Sequence, residues 1–427
     1  MTQTYAEAER FLYRDLPRTG AVVFTGGRGL ERTVELLNRL GNPQEAVRTV
    51  HVAGTSGKGS VCYMIDALLR AHGYHTGRFV SPHIYGLTER FAVDGHAISH
   101  RELAQKTAEI KPVITAITAS PFGSPTFFEA VTAIAFMVNR DHRVEYAVME
   151  TGMGGLYDST NTISRHDKLA VITRLGHDHT AILGRSLRAI ATQKAGIIPE
   201  DGVVVALRPD NASARRSITE TARKRHSELI WVDASSAPSV LAAALPKLIG
   251  RHQQENAAVA LRAFEYLAAR DGFTVKPAAV TRALSNLAIP GRYEQRRWHN
   301  HPVILDGAHN LQKITALCDT LDGQLPVKPV AIVAFKEDKS FGPLLRRLGA
   351  STASVIITRF DGEVDMDLGA AAPQKIAATA RRAGLTGIHV AANPAEAMDM
   401  AAGLLVPGQP LVVTGSMYLL GEVAELL

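Results

Sequence analysis

A chain of 427 residues, 46% hydrophobic and 21% charged, holds enough apolar material for more than one core and lacks the bias of a disordered or fibrous protein. Its two cysteines, Cys62 and Cys318, are far apart with no CxxC partner, which argues against a thiolate zinc site or a disulfide framework and fits a reducing compartment. The formal charge of +6 comes from scattered basic residues, and the clusters at 215–225 and 292–297 lack aromatics at a stacking spacing. Nucleic acid is therefore not expected as a partner, whereas anionic small molecules suit a mildly positive field.

The first residues, MTQTYAEAERFLYRDL, contain no apolar segment of signal-peptide type, and no uncharged apolar run approaches the ~20 residues that span a bilayer. A cytoplasmic protein without membrane contact is expected. Along the chain, 47–53 reads as a buried strand and 54–59 as a glycine-rich turn. After Ser60 the apolar positions Val61, Met64, Ile65, Leu68 and Leu69 follow helical spacing, with Gly73 placed to end the helix. Further strands are expected at 76–80, 145–149, 169–173 and 203–207. Between the last two, Leu187, Ile190, Ala191 and Lys194 share one helical face. The pattern resets at Ile289-Pro290-Gly291, and strands then recur at 302–305, 330–334, 354–358, 388–390 and 410–413.

This alternation predicts an α/β fold. A larger domain with a mostly parallel sheet covers 1–290, and a smaller Rossmann-like doubly wound domain covers 295–427, with Pro290-Gly291 as hinge.

The segment Gly54-Thr55-Ser56-Gly57-Lys58-Gly59-Ser60 lies between strand and helix, where a phosphate-binding loop belongs. Glycines let backbone N–H groups turn inward, the helix N-terminus adds partial positive charge, Lys58 adds a full one, and the Ser60 hydroxyl suits Mg²⁺. Gly59 separates Lys58 from Ser60, so the strict G-x-x-x-x-G-K-[ST] pattern is not met. Ser81, Glu150, His177 and His179 follow other strand ends, and in a parallel sheet those ends share the edge where ligands collect. Singly, each has an ordinary alternative: a carboxylate ending a strand is more often a capping group, and a lone histidine a polar surface residue. Lys194, read from its residue type and position alone, is a helix-surface lysine in a C-terminal turn.

The ordered motifs carry a closer resemblance. His51-Val-Ala-Gly-Thr-Ser-Gly-Lys-Gly-Ser60, Ser81-Pro-His83, Glu89-Arg90-Phe91, Glu150-Thr-Gly-Met-Gly-Gly155, Asp158-Ser-Thr-Asn161, Asp178-His-Thr180 and Lys194-Ala-Gly-Ile197 look like the central domain of the folylpolyglutamate synthase/dihydrofolate synthase family, part of the Mur ligase superfamily. Asn256-Ala-Ala258, Pro290-Gly-Arg292, Asp306-Gly-Ala-His-Asn310, Asp338-Lys339 and Thr414-Gly-Ser416 continue the match toward the C-terminus.

The resemblance implies an ATP-dependent ligase that phosphorylates a carboxylate and joins the acyl phosphate to the amine of L-glutamate, with dihydropteroate or a folate as acid. It implies ATP, two Mg²⁺ and K⁺ as cofactors, and a monomer. Carried over to these positions, Gly54 to Ser60, Asn256, Arg292 and Asp306 contact ATP. Ser60, Ser81, Glu150, His179 and a carbamylated Lys194 hold metal. Phe128, Asp158, His309 and Ser416 face substrate. Lys58, Glu150, His179, Lys194, Asp306 and His309 form the catalytic set, and hinge closure brings Asp306 and His309 toward the ATP.

Four positions depart from the family pattern. Ser56 replaces a usual Asn, Leu156 the arginine of Gly-Gly-Arg, Gln193 a usual Glu, and Leu311 a usual Pro. Leu156 removes a positive charge near the acceptor. It motivates the alternative of a Mur-type ligase acting on a non-folate carboxylate. A silent nucleotide-binding scaffold is the third reading, and the retained metal-ligand set argues against it.

Overall fold

Strand β1 (Arg48–Ala53, RTVHVA) is buried at every position after the first, as a strand covered on both faces must be. It is the centre of the larger sheet in a computed structural model that describes residues 3–18, 27–234, 249–361 and 369–427. The chain forms two compact units, Met1–Pro246 with Gln253–Leu287 and Lys247–His252 with Ala288–Leu427.

In the first unit β1 is joined by β2 (Thr76–Phe79), β3 (Phe91–Val93), β4 (His96–Ala97), β5 (Tyr146–Glu150), β6 (Leu169–Ile172), β7 (Val203–Leu207) and β8 (Glu228–Val232). Their order is β4-β3-β2-β5-β1-β6-β7-β8. β2, β5, β1, β6, β7 and β8 run parallel, while β3 and β4 form an antiparallel edge. After β1 the chain builds β2 and β5 on one side, then crosses to β6, β7 and β8 on the other. The carboxyl end of β1 is thus the point where the winding reverses, which in open α/β sheets is the ligand-binding crevice. The helix Lys58–Ala71 follows directly, with the spaced apolar residues Val61, Met64, Ile65, Leu68 and Leu69 all buried.

The second unit carries β9 (Glu294–Trp298), β10 (His301–Asp306), β11 (Val330–Val333), β12 (Ser354–Ile357), β13 (Ile388–Val390) and β14 (Leu411–Thr414), in the order β13-β12-β11-β14-β10-β9. All but β9 are parallel. Ile304, Val333 and Ile357 from the sheet pack with Ile314, Leu317, Leu345 and Ile376 from flanking helices. Both units therefore have the α/β construction that the alternating pattern predicts. The expected strands all form, within about a residue of the expected ends.

Four strands were not expected: β3, β4, β8 and β9. All lie at sheet margins. β9 is EQRRW with its middle three residues exposed, and β8 is only partly buried, so neither needs the continuous apolar run that marks a central strand. Among the described residues no helix is long and apolar enough to cross a membrane.

Candidate active site

The loop after β1 is built around close approaches that only glycine allows. A Cβ on Gly54 would lie 1.8 Å from Thr173 Oγ1, and one on Gly57, whose φ is 90°, would lie 2.1 Å from Asn256 Oδ1. The loop is also tied to the segment after β6. The N–H groups of Thr55 and Ser56 both donate to the Arg174 carbonyl, at 2.9 and 3.2 Å, and Thr173 Oγ1 donates to the Ser56 carbonyl at 2.8 Å. Thr55 Oγ1 bonds the Gly176 backbone through both its carbonyl (3.0 Å) and its N–H (3.1 Å). These contacts hold the loop's shape before any ligand arrives, so ordering it costs binding little.

Three of the expected residues meet over this loop. Lys58 Nζ lies 3.7 Å from Glu150 Oε1, and the Ser81 N–H donates to Glu150 Oε2 at 3.1 Å. A Cβ on Gly59 would stand 3.2 Å from that same Oε2. Ser60 is buried, and its hydroxyl has no hydrogen-bond partner among the described residues. A buried hydroxyl without a partner costs about 1–3 kcal/mol, so it marks a place where a ligand completes the set. Beside a carboxylate and a lysine at a helix N-terminus, hard oxygen donors of this kind suit Mg²⁺ and phosphate.

Lys194 corrects its single-residue reading. It lies in the last turn of the helix Leu187–Ala195, but it is buried, and its Nζ donates to the Gly54 carbonyl at 2.8 Å. The helix turns that position inward, so the amine meets the glycine-rich loop rather than water. His179 caps the short helix Thr180–Leu183 with φ 49°, a left-handed conformation uncommon outside glycine, on the segment that follows β6. Its N–H donates to Asp178 Oδ1 at 3.0 Å, and its ring Nε2 is 4.0 Å from the same atom. Among the described residues, no three His, Cys, Asp or Glu side chains are grouped to hold a metal. The expected ligand set contains only two of those residue types, Glu150 and His179, and draws the rest from hydroxyls and Lys194.

Phe128 and Asp158 flank the loop that follows Glu150. The Phe128 ring lies so close over Gly152 that a Cβ there would be 2.4 Å from Cζ. Asp158 is buried, and its carboxylate is engaged by the loop itself. Oδ2 accepts from the Met153 N–H at 2.8 Å, and Oδ1 accepts from the N–H and the hydroxyl of Thr160 at 3.1 and 2.5 Å. Burial holds its pKa above the usual carboxylate value, opposed by these donors and by the Gly152 N–H.

In the second unit, Asp306 ends β10 and closes the following turn, accepting from the N–H groups of Tyr293 (2.8 Å) and Ala308 (3.0 Å). Burial pushes its carboxyl pKa up, against the nearby Arg292 guanidinium and these two N–H groups. Met417 and Arg292 close over Gly307, where a Cβ would lie 1.9 Å from Met417 Sδ and 2.9 Å from Arg292 Nη1. His309 is fixed by two partners of single character. A carbonyl, Gly307 O, lies 2.8 Å from Nδ1, and the Lys313 ammonium lies 3.0 Å from Nε2. The carbonyl can only accept and the ammonium only donate, which matches the tautomer that carries its proton on Nδ1. Ser416 caps the helix Met417–Ala424, its Oγ accepting from the Tyr418 N–H at 3.3 Å.

Sequence reasoning missed several supports. Arg174 binds Glu255 through Nε (2.9 Å) and Nη2 (2.5 Å), joining the post-β6 segment to the helix that carries Asn256. Thr173 and Gly176 brace the loop, and His51 reaches Thr160 at 2.7 Å. The adjacency of Glu255 to Asn256 and of Thr173 to a strand end were the only signals available.

Residues 52–264 match the family model described as the Mur ligase middle domain, and residues 291–426 match that of the dihydrofolate synthetase C-terminal domain. The dihydrofolate synthase/folylpolyglutamate synthase of Bacillus subtilis (strain 168) is 32% identical over 381 residues, covering 84% of this chain and 86% of that protein. The dihydrofolate synthetase of Saccharomyces cerevisiae is 30% identical over 420 residues, covering 93% and 97%. Among solved structures, Mycobacterium tuberculosis folylpolyglutamate synthase complexed with ADP is similar with a TM-score of 0.87 and 29% identity, over 99% of this chain and 98% of that one.

Proposed function

Because the chain belongs to the dihydrofolate synthase/folylpolyglutamate synthase family of Mur-type ligases, we propose that it uses ATP to join L-glutamate to dihydropteroate, to the glutamate tail of a folate, or to both. The observation that carries the reading is the meeting of Lys58, Glu150 and Ser81 over a preformed phosphate loop, with the buried Ser60 hydroxyl awaiting a partner.

A carboxylate is a poor electrophile, so the acid oxygen first attacks the γ-phosphorus of ATP and ADP leaves. The glutamate amine then attacks the acyl carbon, and phosphate departs with the C–O bond electrons. The loop N–H groups and Lys58 neutralise phosphate charge and hold the reacting groups together, which supplies most of the catalysis in phosphoryl transfer. Ser60, Ser81, Glu150 and His179 are assigned as magnesium ligands. Lys194 completes them after its amine adds CO₂, releasing a proton and leaving a carbamate anion. When bound, the metal supplies further charge neutralisation at the phosphate oxygens. Phe128 is assigned to the acid's ring. Asp158 acts on that side through the loop it shapes, because its oxygens already accept several donors. Asp306, His309 and Ser416 are assigned to the glutamate side, and Asn256 and Arg292 to the nucleotide.

Leu156 favours a second reading, a ligase of the same chemistry for a non-folate acid. Its backbone N–H is committed to Gln193 O at 2.7 Å, and its apolar side chain offers no charge to an anionic acceptor. ADP release is the test, measured with glutamate plus dihydropteroate, a reduced folate, or a panel of other acids. Turnover with either folate-type acid supports the first reading, and turnover only with another acid selects the second. A protein that binds ATP and turns over with no pair is not a ligase.

A further inference from the structure

His51 lies in the interior of β1, fully buried, with Nε2 at 2.7 Å from Thr160 Oγ1. The direction of that bond follows from its neighbour. Thr160 has one hydroxyl proton and gives it to Asp158 Oδ1, in a carboxyl group that also accepts backbone N–H groups on both its oxygens. The hydroxyl can therefore only accept from His51, which places the imidazole proton on Nε2. Nδ1 is then a bare acceptor, and it is buried with no hydrogen-bond partner among the described residues. An imidazolium there would bury an unpaired N–H and a charge close to the Lys168 cation, so the neutral Nε2–H form is the stable one.

The chain ends in the loop that connects two parts of the candidate site. That loop leaves β5 at Glu150, passes Gly152 beneath the Phe128 ring, and presses against the helix of Lys194. A Cβ on Gly155 would be 2.8 Å from Gln193 O and 3.1 Å from Lys194 O, and Leu156 N–H bonds Gln193 O at 2.7 Å. Asp158 gathers this loop by accepting from Met153 and Thr160, and His51 anchors Thr160 to the sheet.

We propose that His51 and Thr160 are positioning residues for the ligase reaction: the buried chain His51 Nε2–H to Thr160 Oγ–H to Asp158 shapes the Glu150–Asn161 loop and so holds Glu150 and Lys194 in register with the phosphate loop. The inference rests on the ligase reading given above. It assigns a function to a fully buried, strand-interior histidine outside the set assigned to nucleotide, metal and acid.

Two measurements on the full chain test it. Nitrogen-15 spectra of histidine-labelled protein, with the His51 signals identified by their loss in His51→Gln, should show the neutral Nε2–H tautomer near neutral pH. Thr160→Val keeps shape and removes the hydroxyl, while Thr160→Ser restores it. Normalised to the number of ATP-binding sites, Thr160→Val should lose about 10-fold or more in kcat with KM for ATP changed less than about 3-fold, and Thr160→Ser should stay within about 3-fold of wild type. A role confined to folding would lower the melting temperature and the count of active molecules, leaving kcat per site unchanged. An Nδ1–H or doubly protonated His51, a Thr160→Val enzyme with wild-type kcat per site, or a Thr160→Ser enzyme as impaired as Thr160→Val would each overturn the proposal. Should wild-type protein turn over with no acid–amine pair, it is the ligase reading that falls. The His51 tautomer, read without any turnover, would then still decide whether the hydrogen-bond chain exists.

Discussion

Lys194 donates its side-chain nitrogen to the carbonyl of Gly54, the first residue of the phosphate loop, at 2.8 Å across 140 positions of sequence. The side chain that closes the back of the loop is thus the one assigned to carry CO₂. Lys194→Ala should reduce ATP turnover by about 100-fold or more, because it removes both a metal ligand and a brace of the loop. Wild-type enzyme stripped of CO₂ should lose turnover and regain it on addition of bicarbonate. Steady-state ADP release in degassed and bicarbonate-supplemented buffer checks this, and a rate indifferent to bicarbonate would remove the carbamate from the mechanism.

Gly57 faces Asn256 so closely that the loop and the helix Arg251–Asp271 leave no room for a methyl group. Gly57→Ala should weaken ATP binding about 10-fold or more, since the clash and the left-handed φ of 90° act together. Adding Asn256→Ala removes the clash but leaves the backbone cost, about 1 kcal/mol, and also loses a side chain assigned to the nucleotide. It should therefore recover only part of the affinity, and the Asn256→Ala single variant gives the size of that loss. Calorimetric ATP titration of the single and double variants measures both terms.

Phe128 lies over Gly152 on the acid side of the assigned site. Phe128→Ala should raise KM for the pterin-containing acid about 10-fold by removing the stacking face, while KM for ATP stays within about 2-fold. Equal changes in both constants would show that the ring acts on the nucleotide instead.

Lys168 is buried at the start of β6, and burial lowers its pKa from 10.5 to about 8, with the Arg225 cation adding to the effect. Below pH 8 both folded and unfolded chains hold this proton, and the folded state bears the cost of a buried cation. Between pH 8 and 10.5 the unfolded chain still binds the proton that the folded one has lost, so stability from this group rises with pH. At about 1.4 kcal/mol per pH unit, the window amounts to roughly 3 kcal/mol. Lys168→Met should therefore be more stable than wild type at pH 7, by about 1–3 kcal/mol, and should flatten the rise above pH 8. Urea unfolding midpoints from pH 7 to 10 decide it, and a variant less stable at pH 7 would contradict it.

The central strands were legible because each is buried on both faces and must be largely apolar: LAVI in β6 is apolar throughout, and TVHVA in β1 is broken only by Thr49 and His51. The residues that follow those runs were then placed by geometry, since parallel strands present their carboxyl ends on one edge. Lys58, Ser81 and Glu150 could thus be brought together before any coordinate was known. The edge strands β4, β8 and β9 were not legible, because a strand solvated on one side imposes no such pattern, and β3 was not because its three residues are too few to show a period.

The order of apolar runs, glycines and strand-end side chains determined by itself that this chain winds two α/β sheets and places a glycine-rich loop of phosphate-binding type at the end of β1, because local burial and backbone freedom are properties of short segments. Only the tertiary structure decided that Lys194 is buried against Gly54, that Glu255 braces Arg174, and that His51 reaches Thr160. A lysine, a glutamate or a histidine carries no local mark of its partner. The partner is chosen when packing brings distant segments together and takes their polar groups out of water, where each must find a match or pay for its absence.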